Sequence, residues 1–116
     1  FTTAPINAMQ NALDAAGWSV DDVDLFEVNE AFASQCVYCV EVLGIPEAKV
    51  NPLGGAIALG HPLGCTGTRQ VVTLMHHLRR TGQRFGVVSM CVGTGMGAAA
   101  VFENPDYSSE PPISRL

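Results

Sequence analysis

Charge is scarce in this sequence. Asp, Glu, Lys and Arg make up 15% of its 116 residues and leave a net charge of −5, with no basic block. Binding a nucleic-acid backbone takes a basic face that displaces counterions, so that class of function is excluded. Long apolar runs are missing too. Gly, Pro or a charge breaks each stretch short of the roughly 20 residues that span a bilayer. No membrane-spanning helix is expected. Phe1-Thr2-Thr3 offers neither an initiator Met nor the layout of a secretory signal peptide. A truncated chain or an excised domain is the expectation from this start. The sequence also has no internal repeat. What remains is 47% hydrophobic and long enough for one domain with one core. Cys36, Cys39, Cys65 and Cys91 are even in number, as in a disulfide framework. Without a secretion signal they are expected as free thiols.

Hydrophobic spacing divides the chain into elements. Thr3 can cap a helix whose first turn holds Pro5. Ile6, Met9, Leu13 and Ala16 recur at helical spacing, and Gly17 suits the stop. Val23 to Val28 alternates apolar and acidic residues, which predicts a half-buried strand. Asn29-Glu30 opens a second helix running to Leu43, mostly buried, with Ser34, Gln35, Tyr38 and Glu41 as a narrow polar stripe. Val50 to Leu53 is short and extended, and Pro52 makes it an edge or irregular strand. Residues 54–67 form a Gly-rich loop. A third helix spans about Thr66 to Thr81, with Val71, Val72, Leu74, Met75 and Leu78 inside. Phe85 to Val92 is the continuous apolar run of a strand covered on both faces. After a Gly-rich turn, Ala98 to Glu103 returns antiparallel. This order predicts the α/β class, a mixed sheet with helices on both faces. The domain is expected over residues 1–103, followed by a flexible tail over 104–116.

Three segments place reactive side chains beside glycine or at a strand end, where sites of open α/β sheets gather. The first is Asn29-Glu30-Ala31-Phe32-Ala33. The second is Gly60-His61-Pro62-Leu63-Gly64, and the third is Cys91-Val92-Gly93-Thr94-Gly95. Pro62 restricts the His61 backbone and so fixes where the ring points. A histidine held this way is either a base near neutral pH or a satisfied turn residue. Cys91 is either a buried core thiol or, beside the N–H groups of the glycine run, a thiol able to shuttle a proton. Asn29 is either a helix cap or an amide that polarises a carbonyl.

Taken together, the three segments resemble the Asn-Glu-Ala-Phe, Gly-His-Pro-Leu-Gly and Cys-x-Gly motifs of the thiolase family, in the same order and approximate spacing. The likeness reaches Glu103. The stretch His61 to Gly67 is similar to the degradative 3-ketoacyl-CoA branch. The resemblance implies a thiolase-like C-terminal half that moves acyl groups between 3-ketoacyl-CoA and CoA in fatty-acid β-oxidation. It implies no cofactor, since coenzyme A thioesters are the substrates. It also implies roles. His61 activates the nucleophilic cysteine and helps bind the thioester oxygen. Cys91 is the acid/base cysteine. Asn29 holds a water of one oxyanion hole, the Gly93 N–H serves the other, and Phe32 lines the substrate pocket. The family's nucleophile lies on an N-terminal domain that these residues do not include, so that domain is an expected partner. The chain alone is expected to be inactive, and the full-length protein is expected to be a homo-oligomer. Ser114-Arg115-Leu116 resembles a peroxisomal address, with mitochondrial or cytosolic residence as the alternatives.

Two other readings use the same residues. Cys36, Cys39, His61 and Cys65 have a superficial zinc spacing, but the first pair falls within an uninterrupted helical pattern. A non-catalytic remnant or assembly subunit could also keep the fold. Residues 60–67 are not a Walker loop, since no Gly-Lys-Ser/Thr follows, and residues 93–97 lead into a strand rather than a helix. His76-His77 beside Arg79-Arg80 is a solvated helix face.

Overall fold

The computed structural model describes residues 4–109. The expected Thr3 cap and the Ser114-Arg115-Leu116 terminus lie outside these residues. The element order is α1 (Ala4–Ala16), β1 (Leu25–Val28), α2 (Ala33–Leu43), α3 (Ala56–Leu59), α4 (Thr66–Thr81), β2 (Phe85–Gly93) and β3 (Met96–Glu103). Left-handed glycines Gly17, Gly44 and Gly82 follow the three long helices, where a side chain would be strained.

The sheet runs β1-β2-β3. β1 is parallel to β2, with Leu25 opposite Gly86 and Val28 opposite Ser89. β2 and β3 are antiparallel. Asp24 Oδ2 fixes the start of this register by accepting from the Arg84 and Phe85 N–H groups at 2.8 and 3.0 Å. Alternate residues serve two cores. Phe26, Val28 and Val87 pack with Met9 and Leu13 of α1 and with Cys36 and Cys39 of α2. Leu25 and Val88 pack with Leu74 and Leu78 of α4. Helices therefore cover both faces, and the mixed α/β class read from the sequence holds. α4 sits close to its sheet: a Cβ at Gly86 would lie 2.6 Å from Leu74 Cδ1.

Several local expectations are corrected. β1 is not half-buried; all four of its residues are buried, and Glu27 is only 2% exposed. The acidic face is covered because α4 supplies Arg69, whose Nη1 donates to Glu27 Oε1 at 2.8 Å. α2 begins at Ala33 rather than at Asn29-Glu30, because residues 29–32 run extended or turned toward other partners. Nor is α2 mostly buried. Gln35, Cys36 and Cys39 are, while Val37 and Val42 are 56% and 52% exposed, since only one side meets the sheet. The Gly-rich loop contains one helical turn, α3. The segment at 50–53 makes one bridge, Val50 to Phe26, and then turns. On α4 the buried row is Thr66, Gln70, Leu74 and Leu78, at strict fourfold spacing, and Val72 is 51% exposed. Asn104, at the head of the expected tail, is buried. Its Nδ2 donates to the Leu78 and Gln83 carbonyls at 3.3 and 2.9 Å, and Asp106 pairs with Arg79.

Candidate active site

Asn29 stands one residue past β1. Its backbone N–H still donates to Ser89 O at 2.9 Å, so the sheet positions it. Its side chain is buried, and Asn29 Nδ2 lies 3.4 Å from His61 Nε2. On the other edge of the ring, His61 Nδ1 lies 2.6 Å from Thr66 Oγ1, and that hydroxyl is 3.1 Å from Pro62 O. A carbonyl only accepts, so the single hydroxyl proton goes to Pro62. Thr66 Oγ1 must then accept from His61 Nδ1–H. This fixes the tautomer, with the lone pair on Nε2 beside Asn29. Thr66 begins α4 and is 1% exposed, which makes it a rigid support for the ring. Asn29 Oδ1 is buried without a partner among the described residues. A buried acceptor in that state is a ready seat for a water.

Cys91 lies on β2, on the same side of the strand as Val87 and Ser89, and is half-buried. Cys91 pairs with Gly97, yet Gly93 pairs with Met96, so Val92 is an extra residue on β2. Such a bulge turns the strand end and re-aims its side chains. Thr94 and Gly95 then close the hairpin with φ of 51° and 77°, the left-handed pair of a type I′ turn. Burial first, and then the charge that Cys91 carries when ionised, push the Cys39 thiol above its ordinary pKa. Burial likewise pushes Cys36 up to about 11, which keeps it protonated and inert.

Asn29 and His61 thus meet directly. Cys91 and Gly93 stand at the same carboxyl end of the paired strands, just beyond the Ser89 carbonyl that Asn29 bonds. Phe32 is exposed on the turn between β1 and α2. Among the described residues, no group of three or more His, Cys, Asp or Glu is arranged to hold a metal. Cys36 and Cys39 face the core while Cys65 is exposed.

Sequence reasoning missed four supports. Thr66 orients His61. Gln70 Nε2 donates to both Glu27 O and Ser89 O at 3.0 Å, joining the ends of β1 and β2. Asn51 acts as an added rung of the sheet: Val28 N–H donates to its Oδ1 at 2.9 Å, and its Nδ2 donates to Val28 O at 2.8 Å. Glu30 reaches Ile57 and Asn51. Gln70 carried a visible signal, being polar in the row that buries Leu74 and Leu78.

Polar groups gathered at the carboxyl ends of a mixed sheet define, first, a candidate site of an α/β protein. Residues 1–104 match the model of the thiolase C-terminal domain, and the chain belongs to the thiolase family. It is 72% identical over 102 residues to the mouse protein named 3-ketoacyl-CoA thiolase B, peroxisomal, covering 87% of this chain and 24% of that one. The human protein named 3-ketoacyl-CoA thiolase, peroxisomal, is 69% identical over the same shares. The chain thus spans about a quarter of the length of these relatives. Two structures of the peroxisomal thiolase of Saccharomyces cerevisiae also match. One, described as five-layered and built from two core domains of identical topology, gives a TM-score of 0.82 at 58% identity, covering 89% of this chain and 29% of that one. The other, described as dimeric, gives a TM-score of 0.83 at 58% identity, covering 89% and 26%.

Proposed function

We propose that this chain is the C-terminal catalytic part of a degradative 3-ketoacyl-CoA thiolase. The observation that carries the reading is the chain of contacts from Thr66 through His61 to Asn29, past the end of β1. In cleavage, His61 Nε2 takes the proton of a nucleophilic cysteine on the N-terminal domain. The thiolate attacks the 3-keto carbon, and the Gly93 N–H stabilises the tetrahedral oxyanion. The bond between C2 and C3 breaks, and its electron pair becomes the enolate of acetyl-CoA. His61, now carrying the proton on Nε2, donates to the thioester oxygen together with a water held by Asn29. Cys91 Sγ–H protonates C2. The acyl group stays on the nucleophile until the thiol of CoA removes it, so two thiols split the reaction into two easier steps. Phe32 lines the acyl-CoA pocket.

The nucleophile belongs to the partner domain, so activity is a property of the full-length protein. We expect 3-ketoacyl-CoA thiolysis by the full-length protein and none by the 116-residue chain, measured as CoA-dependent loss of substrate. Turnover by the isolated chain, or none by the full-length protein, contradicts the reading. The dimeric yeast structure supports a homodimer. The names of the relatives, with Ser114-Arg115-Leu116, support residence in the peroxisome, and unchanged import after deletion of Leu116 sinks that terminus as the address.

A further inference from the structure

Glu30 takes no part in the chemistry above, yet each of its carboxylate oxygens has a partner. Oε2 accepts the Ile57 N–H at 3.0 Å, and Oε1 accepts from Asn51 Nδ2 at 3.4 Å. Ile57 is the second residue of α3, where the backbone N–H has no acceptor within the helix. Asn51 is itself held by its paired bonds to Val28 and by its N–H to Phe26 O at 2.9 Å. Gly55 completes the fit. A Cβ there would lie 2.6 Å from both Cδ and Oε2 of Glu30, so only glycine lets the carboxylate reach the loop.

The neighbouring residue completes the picture. Asn29 meets the far end of the same loop at His61. Consecutive residues at the end of β1 therefore hold the 54–65 loop at two points, its root at Ile57 and its tip at His61. Both groups facing Glu30 are donors, a backbone N–H and an amide NH2. A carboxylate answers both, whereas a glutamine must set its own NH2 against one of them.

We propose that Glu30 is a positioning residue for the thiolase reaction: it anchors the root of the loop that carries His61 and so keeps the imidazole against Asn29. The proposal rests on the thiolase reading above. Glu30 touches no reacting atom and acts through the loop.

The test uses Glu30→Ala and Glu30→Gln in the full-length protein, with thiolysis kinetics and amide hydrogen exchange. Displacing a catalytic base by about 1 Å costs on the order of 100-fold in rate. Glu30→Ala is expected to lower kcat by about that factor, with KM within about twofold. Exchange at the Ile57 amide should quicken while the β1 and β2 amides keep their protection. Glu30→Gln, which keeps the volume and one acceptor, should fall between; it also decides the matter if Glu30→Ala does not fold. A kcat within about twofold of the parent, an unchanged Ile57 amide, or loss of protection across β1 and β2 alike overturns the proposal. Absence of thiolysis in the parent defeats the thiolase reading instead, and Ile57 exchange still decides whether the anchor exists.

Discussion

Thr66 shows how one hydroxyl can settle the chemistry of a neighbour. Its proton is committed to Pro62 O, so its lone pair is what His61 Nδ1–H finds. Thr66→Val keeps the shape and removes both bonds. The ring then loses its fixed tautomer and orientation, while the Pro62 carbonyl keeps the Cys65 and Thr66 N–H groups as donors. We expect kcat to fall on the order of 10- to 100-fold with little change in KM, and Thr66→Ser to restore most of it. Nitrogen NMR of the His61 ring should show mixed tautomers in the valine variant. A variant with a single Nδ1–H tautomer and parental kcat contradicts this role. None of this could be read from the sequence, where Thr66 looks like an ordinary first helical residue. His61 itself was legible, because Pro62 and the flanking glycines mark a ring that is held rather than free.

The elements were legible where their signals are local. The bounds of α4, Thr66–Thr81, follow from periodicity and Gly82, and the β2–β3 return follows from two apolar runs around glycine. They were misread where a distant partner decides. Asn29-Glu30 reads as a helix opening, but the amide of Asn29 serves His61 and the carboxylate of Glu30 serves α3, so α2 starts later. β1 reads as half-buried because its acidic face looks solvated; Arg69, 42 residues away, makes burial possible. Burial first raises the pKa of Glu27 above its ordinary 4.5, and Arg69 opposes the rise. A carboxyl with a raised folded pKa is best tolerated when protonated, so its contribution to stability is lost as pH rises through the folded value. Arg69→Met leaves the buried carboxyl unpaired and raises its pKa further. We expect a loss of about 3–5 kcal/mol near neutral pH, shrinking toward pH ~4.5 as Glu27 takes up its proton. Urea unfolding across that range measures it, and a deficit that does not change with pH contradicts the pairing.

The chain as a whole presents more apolar surface than one domain needs. Leu53, Ile57, Leu59 and Leu63 are exposed along the loop that carries His61, and Phe32 and Val37 lie exposed near the start of α2. Large apolar side chains exposed in this number on neighbouring segments suit a face that takes part in contacts. The chain forms one sheet between two helical layers and spans 24% of its mouse relative, and the yeast thiolase it matches has five layers from two core domains. The three motifs were legible because each needs particular residue types at particular backbone positions. In the proposed reaction Cys91 moves the proton at C2 while another cysteine carries the acyl group. Cys91→Ala in the full-length protein, given acetyl-CoA in deuterated water, separates the two thiols: deuterium incorporation at C2 should be lost, while the nucleophile is still acylated by substrate. Parental deuterium incorporation in Cys91→Ala, with the acyl-enzyme still forming, contradicts the assignment.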